Sequence, residues 1–396
     1  MHGAESERVI YEVQAGPHDR RDVIVSGPCP SLGCCCGCGG EEHSHSLWRL
    51  DDEGRRAEQV PVQCVPEEDE WSVYWHIANL PAGATVRYEL ASGDEGGGEG
   101  CCCCQGVGVK LEEGRQADFV VRGELFTTYV VKPEVARPYC YPVHGPGGLE
   151  VTNFAPGDHI HHKSMYIAQG EVNGHDNWSE LEGHARTVNT DVVVLSQGPV
   201  LASLLAHGDW VSAKGEKLMQ EITRITVYNT GPDLRLMDWD ITWFAAYQGV
   251  HVGDTKEAGT LAVRVAESME ERHGGLIINA HGARTEAECW GKRSPWVDYT
   301  GPVANELVGL AIFDHPQNFR HPTYWHVRSY GLFTANQWGI HDFTGDWSKR
   351  GDWTIPQGWH LNFHFRVYIH RGDTETAGVA NRYLDYAFPP LVKIVG

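Results

Sequence analysis

Positive charge is scarce in this 396-residue chain. Lysine and arginine number 32 against 53 aspartates and glutamates, which leaves a formal charge of −21. Binding to a phosphate backbone needs clustered cations, so nucleic acid is not an expected partner. Docking on an anionic membrane is disfavoured for the same reason. No apolar run approaches the roughly 20 residues of a spanning helix. The first residues, "MHGAESERVIYEVQAG", lack the basic-then-apolar order of a signal peptide. The sequence as written therefore points to the cytoplasm, and it leaves open a secreted form already processed. A nucleophile elbow, a phosphate loop, a dinucleotide fingerprint and an H-E-x-x-H helix are also missing. Phosphoryl transfer and hydride transfer from a bound nicotinamide are thereby disfavoured. Nor does any helical period persist over three turns; only 375–387 reads as a short helix.

What is present is strand after strand. Hydrophobic residues make 41% and charged residues 21% of the chain, an ordinary globular balance. "RVIYEV" (8–13), "QVPVQCVP" (59–66) and "EWSVYWHIANL" (70–80) alternate apolar and polar residues, as half-buried strands do. A Gly-rich stretch, "SGDEGGGEG", closes this region. Beyond it the alternation resumes in "DFVVRGELFTTYVV", "QEITRITVYNTGPDLRLMDWDITWFAAY" and "HLNFHFRVYIH", with turns at Gly123 and Asn229-Thr230-Gly231-Pro232. The pattern predicts an all-β chain: a small β-sandwich domain over 1–112 with Gly- and Cys-rich loops, then a large antiparallel sandwich over 113–396. Eight of the twelve cysteines fall in two runs, Cys34, Cys35, Cys36 and Cys38, and Cys101, Cys102, Cys103 and Cys104. Adjacent cysteines cannot all pair with one another without strain. Loop thiols, metal binding and disulfides between the runs are the readings.

Residues suited to chemistry gather in four stretches. "GDHIHHKSMYIAQGEVNGHDNW" holds His159, His161 and His162 beside Asp158 and Lys163, with Trp178 at its end. On an extended segment His159 and His161 would share one face and His162 the other. Such histidines bind a metal or pass a proton to a hydroxyl. "DTKEAG" (254–259) packs Asp254, Lys256 and Glu257, an ion pair, an acid beside a base, or a charged hairpin turn. "WGKRSPWVDYTG" (290–301) sets Lys292 between Trp290 and Trp296, which suits an anionic or hydroxylated ligand. "FDHPQNFRHPTYWHVRSYG" (313–331) carries Asp314, His315, His326 and Arg328, the last two alternating on a strand.

At these runs, together with "RPYCYPVHGPGGLEVTNF" and "VYIHRGD", the sequence resembles a bacterial domain family of unknown function that often carries the label "methane oxygenase-like". The resemblance covers roughly 120–375. Copper and methane oxidation do not carry over with the label, because the true methane-oxidising protein spans a membrane and this chain has no span. The resemblance implies a galactose-mutarotase-like antiparallel β-supersandwich and a setting in carbohydrate degradation. In such enzymes a histidine and a carboxylate handle the protons of a sugar ring. The positions matching the family's runs are His161, His162, Lys256, Glu257, Lys292, Asp314, His315, His326 and Arg328. Ile160 and Lys163 stand where proline and arginine are common.

Together these readings give a carbohydrate-processing enzyme, a hydrolase, lyase or epimerase. His161 or His162 would be the proton donor or acceptor, and Glu257 or Asp254 its carboxylate counterpart. Lys163, Trp178, Lys256, Lys292, Trp296, Asp314, His315, His326 and Arg328 would bind substrate, a small molecule or an oligosaccharide. No cofactor is required. A second reading is a divalent-metal enzyme with His159, His161 and His326 as ligands. A third is a non-catalytic binding or assembly module. A homo-oligomer stays open.

Overall fold

A computed structural model of the chain describes residues 8–29, 45–67, 70–92 and 106–396. Both cysteine runs, at 34–38 and 101–104, lie outside the described residues.

Alternation builds the architecture directly. In the strand Leu234–Phe244, the side chains of Met237, Trp239, Ile241 and Trp243 are buried in the main core, while Asp238, Asp240 and Thr242 take the opposite face. Its neighbour His360–Arg371 answers in register, with Trp239 opposite Phe365 and Ile241 opposite Phe363. Each such side chain contributes roughly 1.5–3 kcal/mol by leaving water. Extended over sixteen strands, this gives two eight-stranded sheets packed face to face. The front sheet runs, in spatial order, Tyr324–Val327, Leu332–Asn336, Ala258–Arg264, Met165–Gln169, Tyr139–Val143, Glu124–Val130, Gln116–Val121 and Val107–Glu112. The back sheet runs Arg186–Ser196, Leu201–Val211, Lys217–Tyr228, Leu234–Phe244, His360–Arg371, Glu306–Asp314, Trp296–Val303 and Leu276–Asn279. Paired strands are antiparallel throughout both sheets, so the all-β antiparallel supersandwich is the fold.

The N-terminal strands form a five-stranded and a three-stranded sheet around their own core, which includes Tyr11, Val25, Trp75 and Leu90. Two strands cross the boundary expected at 112. Val107–Glu112 belongs to the front sheet, and the last strand, Leu391–Ile394, returns to pair with Arg8–Gln14. The stretch 59–66, which reads from its alternation as one strand, is two: Arg56–Val60 and Val62–Pro66 lie in different sheets. Pro61 between them has no N–H to continue a ladder. The buried Gln63 fastens this region to the large sandwich, bonding Ser196, Val200 and Leu201.

The helix expected over 375–387 is Val379–Ala387. Thr285–Cys289 and Ile340–Thr344 are helices of five residues, too short for a period of 3.6 to show in the sequence. Among the described residues no helix is long and apolar enough to cross a membrane, which says nothing of a β-barrel.

Candidate functional site

The front sheet has a second face, turned away from the core. Pairing places Tyr139, Tyr166, Ala262, Thr334 and His326 in one row across it. Arg264 and Arg328, two residues on from Ala262 and His326, extend the same face. Loops fold over this row and bring most of the predicted residues together.

The segment 157–161 is a pair of turns, not a strand. The N–H of His159 donates to Pro156 O and that of His162 to His159 O, as Gly157 and Asp158 favour. The expected split of the histidines onto two faces therefore does not occur. All three rings pack together: His159 stacks on His162 at 4.7 Å, and His161 meets His162 edge-on at 4.6 Å. Tyr330 stacks on His159 at 4.8 Å, and Trp178 backs both His161 and His162.

Arg264 organises this cluster from below. Its guanidinium, 2% exposed, donates to His162 Nδ1 at 3.2 Å, to Asp158 at 3.0 Å and to the buried Glu270 at 3.2 Å. Burial opposes ionisation of Asp158, but the bonds from His159 and Arg264 outweigh it and hold the carboxyl down to about 2. Burial, then the neighbouring His161, His159 and Arg264, push His162 down to about 2. His162 is thus a neutral, enclosed ring. His161 is only half-buried; burial first, then His159 and Arg137, lower it, so it is neutral at pH 7 with its ring partly open. Beside Arg264 lies a cavity of about 360 Å³, lined among others by Asn153, Asp158, Ser329 and Tyr330.

Glu257 and His326 form the opposite wall. The Nδ1–H of His326 donates to Lys256 O at 2.8 Å, and Arg328 Nε donates to His326 Nε2 at 3.0 Å. Both ring nitrogens of His326 are therefore engaged, and burial pushes its pKa down to about 4. Burial opposes ionisation of Glu257 as well, but the Lys256 ammonium, bonded to it, and Arg328 hold it below the ordinary carboxylate range. Arg328 continues to Glu286 at 2.8 Å. Burial raises the Tyr330 phenol, whose surroundings include Arg328, Glu257, Arg264 and Glu286. His161 feels the charges of both Glu257 and Glu180. A third group closes the site. The fully buried Arg137 bonds Glu180, His161 O and Trp178 O, and Lys163 bonds Ile160 O at 2.7 Å and approaches Glu180 at 3.3 Å.

Other predicted residues take different places. Asp254 accepts the Gly351 N–H at 2.6 Å and pairs with His341 at 2.7 Å, so its carboxylate fixes the 339–351 segment. Trp296 is packed with Phe313, Tyr368 and Tyr383 on the far face of the back sheet. The fully buried Asp314 accepts from Asn318, His321 and the Thr323 N–H and so shapes the loop after its strand. His315 lies in that loop, 5.8 Å from the ring of His364. Lys292 is exposed, its backbone paired with Trp325. Trp178 is 2% exposed, a wall of the site and not an open stacking surface. Among the described residues no group of three or more His, Cys, Asp or Glu is placed to hold a metal ion, so His159, His161 and His326 do not form the expected ligand set.

Sequence reasoning does not single out Arg137, Glu180, Arg264, Glu286 or Tyr330. Arg264 ends an otherwise apolar strand, "AGTLAVR", and a terminal arginine there looks like a surface residue.

Two solved structures from Enterococcus faecalis resemble the chain. One is a protein in the glycosyl hydrolase family 38, with a TM-score of 0.42 and 9% identity over 98% of this chain and 47% of that one. The other is an alpha-mannosidase, with a TM-score of 0.44 and 10% identity over 98% and 46%. The chain spans about half the length of each. No curated protein matches the sequence. A family model described as a family of unknown function, DUF6807, matches residues 116–384, and the chain belongs to that family.

Proposed function

We propose that the chain is a carbohydrate-processing enzyme that moves a proton on a neutral, hydroxylated ligand at the outer face of the front sheet. The observation that carries this reading is the placing of a half-open His161, packed against His162 and Trp178, on the same face as Glu257, whose carboxylate is held by Lys256. A neutral imidazole takes a proton near pH 7, and Tyr330, kept protonated, offers one back. Charges around the site cancel in pairs: Lys256 with Glu257, Arg328 with Glu286, Arg264 with Asp158, Lys163 with Glu180. Such a site suits an uncharged polyol better than an acid. The exposed parts of Lys256 and Arg328 orient hydroxyls.

The carboxylates also favour lyase or epimerase chemistry over hydrolysis. Glycoside hydrolysis needs one carboxyl kept protonated as the acid. Asp158, Glu257 and Glu286 are instead all lowered, and Glu271, which burial raises, is committed to the Glu286 N–H. Burial opposes ionisation of the first three, and bonds from Arg264 and His159, from Lys256, and from Ser329 and Arg328 respectively prevail. The test is exchange for deuterium in D2O of the hydrogen on the carbon beside a carbonyl, whose oxygen takes the electron pair as an enediol, followed by NMR over a panel of reducing sugars, reducing oligosaccharides and keto-glycosides. Wild type exchanges label into one member, and His161→Gln and Tyr330→Phe lower the rate at least about 100-fold. A folded His161→Gln variant with undiminished exchange overturns the assignment.

A further inference from the structure

At the foot of the histidine loop stand three aromatic rings that the acid–base site does not use. Phe154 lies between Tyr139 and Tyr141, 4.9 Å from the first and 5.0 Å from the second, the latter pair near-parallel at 25°. Each of the three is half-buried, with part of its surface open. Tyr139 and Tyr141 alternate on the strand Tyr139–Val143, so both point to the outer face of the front sheet. Phe154 is set against them by an isolated β-bridge to Lys163 and by the Ala155 N–H donating to His162 O. That bridge also closes the loop carrying His159, His161 and His162. The stack and the histidines are thus two ends of one loop.

Core packing does not account for the stack. Phe154 and Tyr141 belong to none of the buried clusters among the described residues, and Tyr139 only borders the one formed by Tyr166, Ala168, Trp178, Ala262 and Leu332. The line of contact continues to the site: Tyr139 pairs with Tyr166, Tyr166 lies 5.8 Å from Trp178, and Trp178 lies 6.1 Å from His161. Lys163 Nζ lies 5.3 Å over the Phe154 ring and pairs with Glu180, so the rim carries a donor and an acceptor.

We infer that the Tyr139–Phe154–Tyr141 stack is a second ring-binding subsite, so that the ligand of this face is a glycoside or oligosaccharide of at least two neutral rings, not a free monosaccharide. The exposed parts of the three rings offer apolar surface to the C–H groups of a sugar ring, and Lys163 and Glu180 at the rim meet its hydroxyls. The inference rests on the acid–base reading for what occupies the neighbouring position. An anionic polymer is disfavoured because Lys163 at the rim is already paired with Glu180 and the chain carries −21 overall.

Calorimetric titration with gluco-, manno-, galacto- and xylo-configured sugars of one to four rings tests it. For at least one series the two-ring member binds wild type about tenfold more tightly than its one-ring member, a gain of the size an aromatic contact supplies. Phe154→Leu and Tyr141→Leu, which keep bulk and lose the ring, abolish that gain. Thermal midpoints near wild type show that both variants are folded. A gain that survives in both variants, or the absence of any gain in wild type, overturns the subsite. The two proposals separate cleanly. Length-dependent binding that needs Phe154 without deuterium exchange sinks only the acid–base reading, whereas exchange that needs His161 with no length dependence sinks only the subsite.

Discussion

Arg264 Nη1 lies 3.2 Å from His162 Nδ1, and a guanidinium can only donate there. His162 must therefore accept at Nδ1 and carry its proton on Nε2. One contact thus fixes a tautomer and removes His162 as a base; with His159 held to Asp158 at 2.9 Å, His161 is the histidine of the loop with freedom to act. The same guanidinium holds Asp158 and Glu270, so the histidine loop and the 264–270 stretch, distant in sequence, share one buried cation.

Removing that cation leaves Glu270, whose side chain is 2% exposed, with the exposed Arg272 at 2.6 Å as its remaining cationic partner. Arg264→Met is therefore expected to cost about 2–3 kcal/mol in urea unfolding, less than the roughly 3–5 kcal/mol of a wholly uncompensated buried charge because Arg272 keeps part of the balance. Arg264→Met with Glu270→Gln recovers a large part of the loss, because no unpaired charge remains. A double variant as unstable as the single one contradicts this account.

Acid weakens the fold through His162. Its folded pKa, near 2, lies far below its ordinary value of 6.5. Above pH 6.5 both folded and unfolded chains hold a neutral ring. Below it the unfolded chain takes up a proton that the folded chain refuses, so stability falls as the pH drops from 6.5 toward 2. His326, held near 4 by burial, acts in the same direction, while His364, raised by its bond to Asp240, acts against it. The expected result is a smaller loss between pH 7 and pH 5 for His162→Gln than for wild type in matched urea titrations. Equal losses would show that His162 is not enclosed as described.

What can be read from the sequence depends on the range over which its signals act. Strands such as Leu234–Phe244 are legible because one face is uniformly apolar, and a two-residue period leaves no other register. Strand order is not, since partners such as Ala258–Arg264 and Met165–Gln169 lie about 90 residues apart and nothing local couples them. Composition marks the histidine loop, but its geometry is ambiguous: "GDHIHH" offers turn formers and alternation at once, and the hydrogen bonds to Pro156 and His159 decide for turns. Asp314 and Trp296 are chemically capable residues, and burial with complete partners turns that capability to structure. Tyr330 escapes sequence reasoning because its importance comes from the ring of His159 beneath it, a contact made across about 170 residues.

Alkali acts on a different residue. Glu221 is buried within the sandwich, where its carboxylate accepts from Trp210 Nε1 at 3.0 Å and Trp243 Nε1 at 3.2 Å. Burial outweighs those bonds and raises its pKa from 4.5 to about 7. The folded chain therefore keeps a proton that the unfolded chain loses near 4.5, and stability falls as pH rises from 4.5 through 7. Glu221→Gln keeps an acceptor for both indoles and has no charge to bury. It is expected to be more stable than wild type at pH 8, on the order of 2 kcal/mol, with the advantage shrinking by pH 5. Thermal unfolding at the two pH values checks this; a constant difference would refute it.

The last prediction concerns metal. A histidine ligates through a ring nitrogen with a free lone pair. In His326 the Nδ1 proton is given to Lys256 O, and the Nε2 lone pair is taken by Arg328. Breaking either bond leaves a polar group unpaired in a residue that is 1% exposed. His326 is thus a positioning residue that ties Lys256, and through it Glu257, to Arg328. His326→Gln is expected to leave the metal content per chain unchanged after purification without a histidine tag and to raise the pKa of Glu257, read by carboxylate NMR. Loss of one equivalent of metal in that variant would restore the multi-histidine reading and displace the acid–base one.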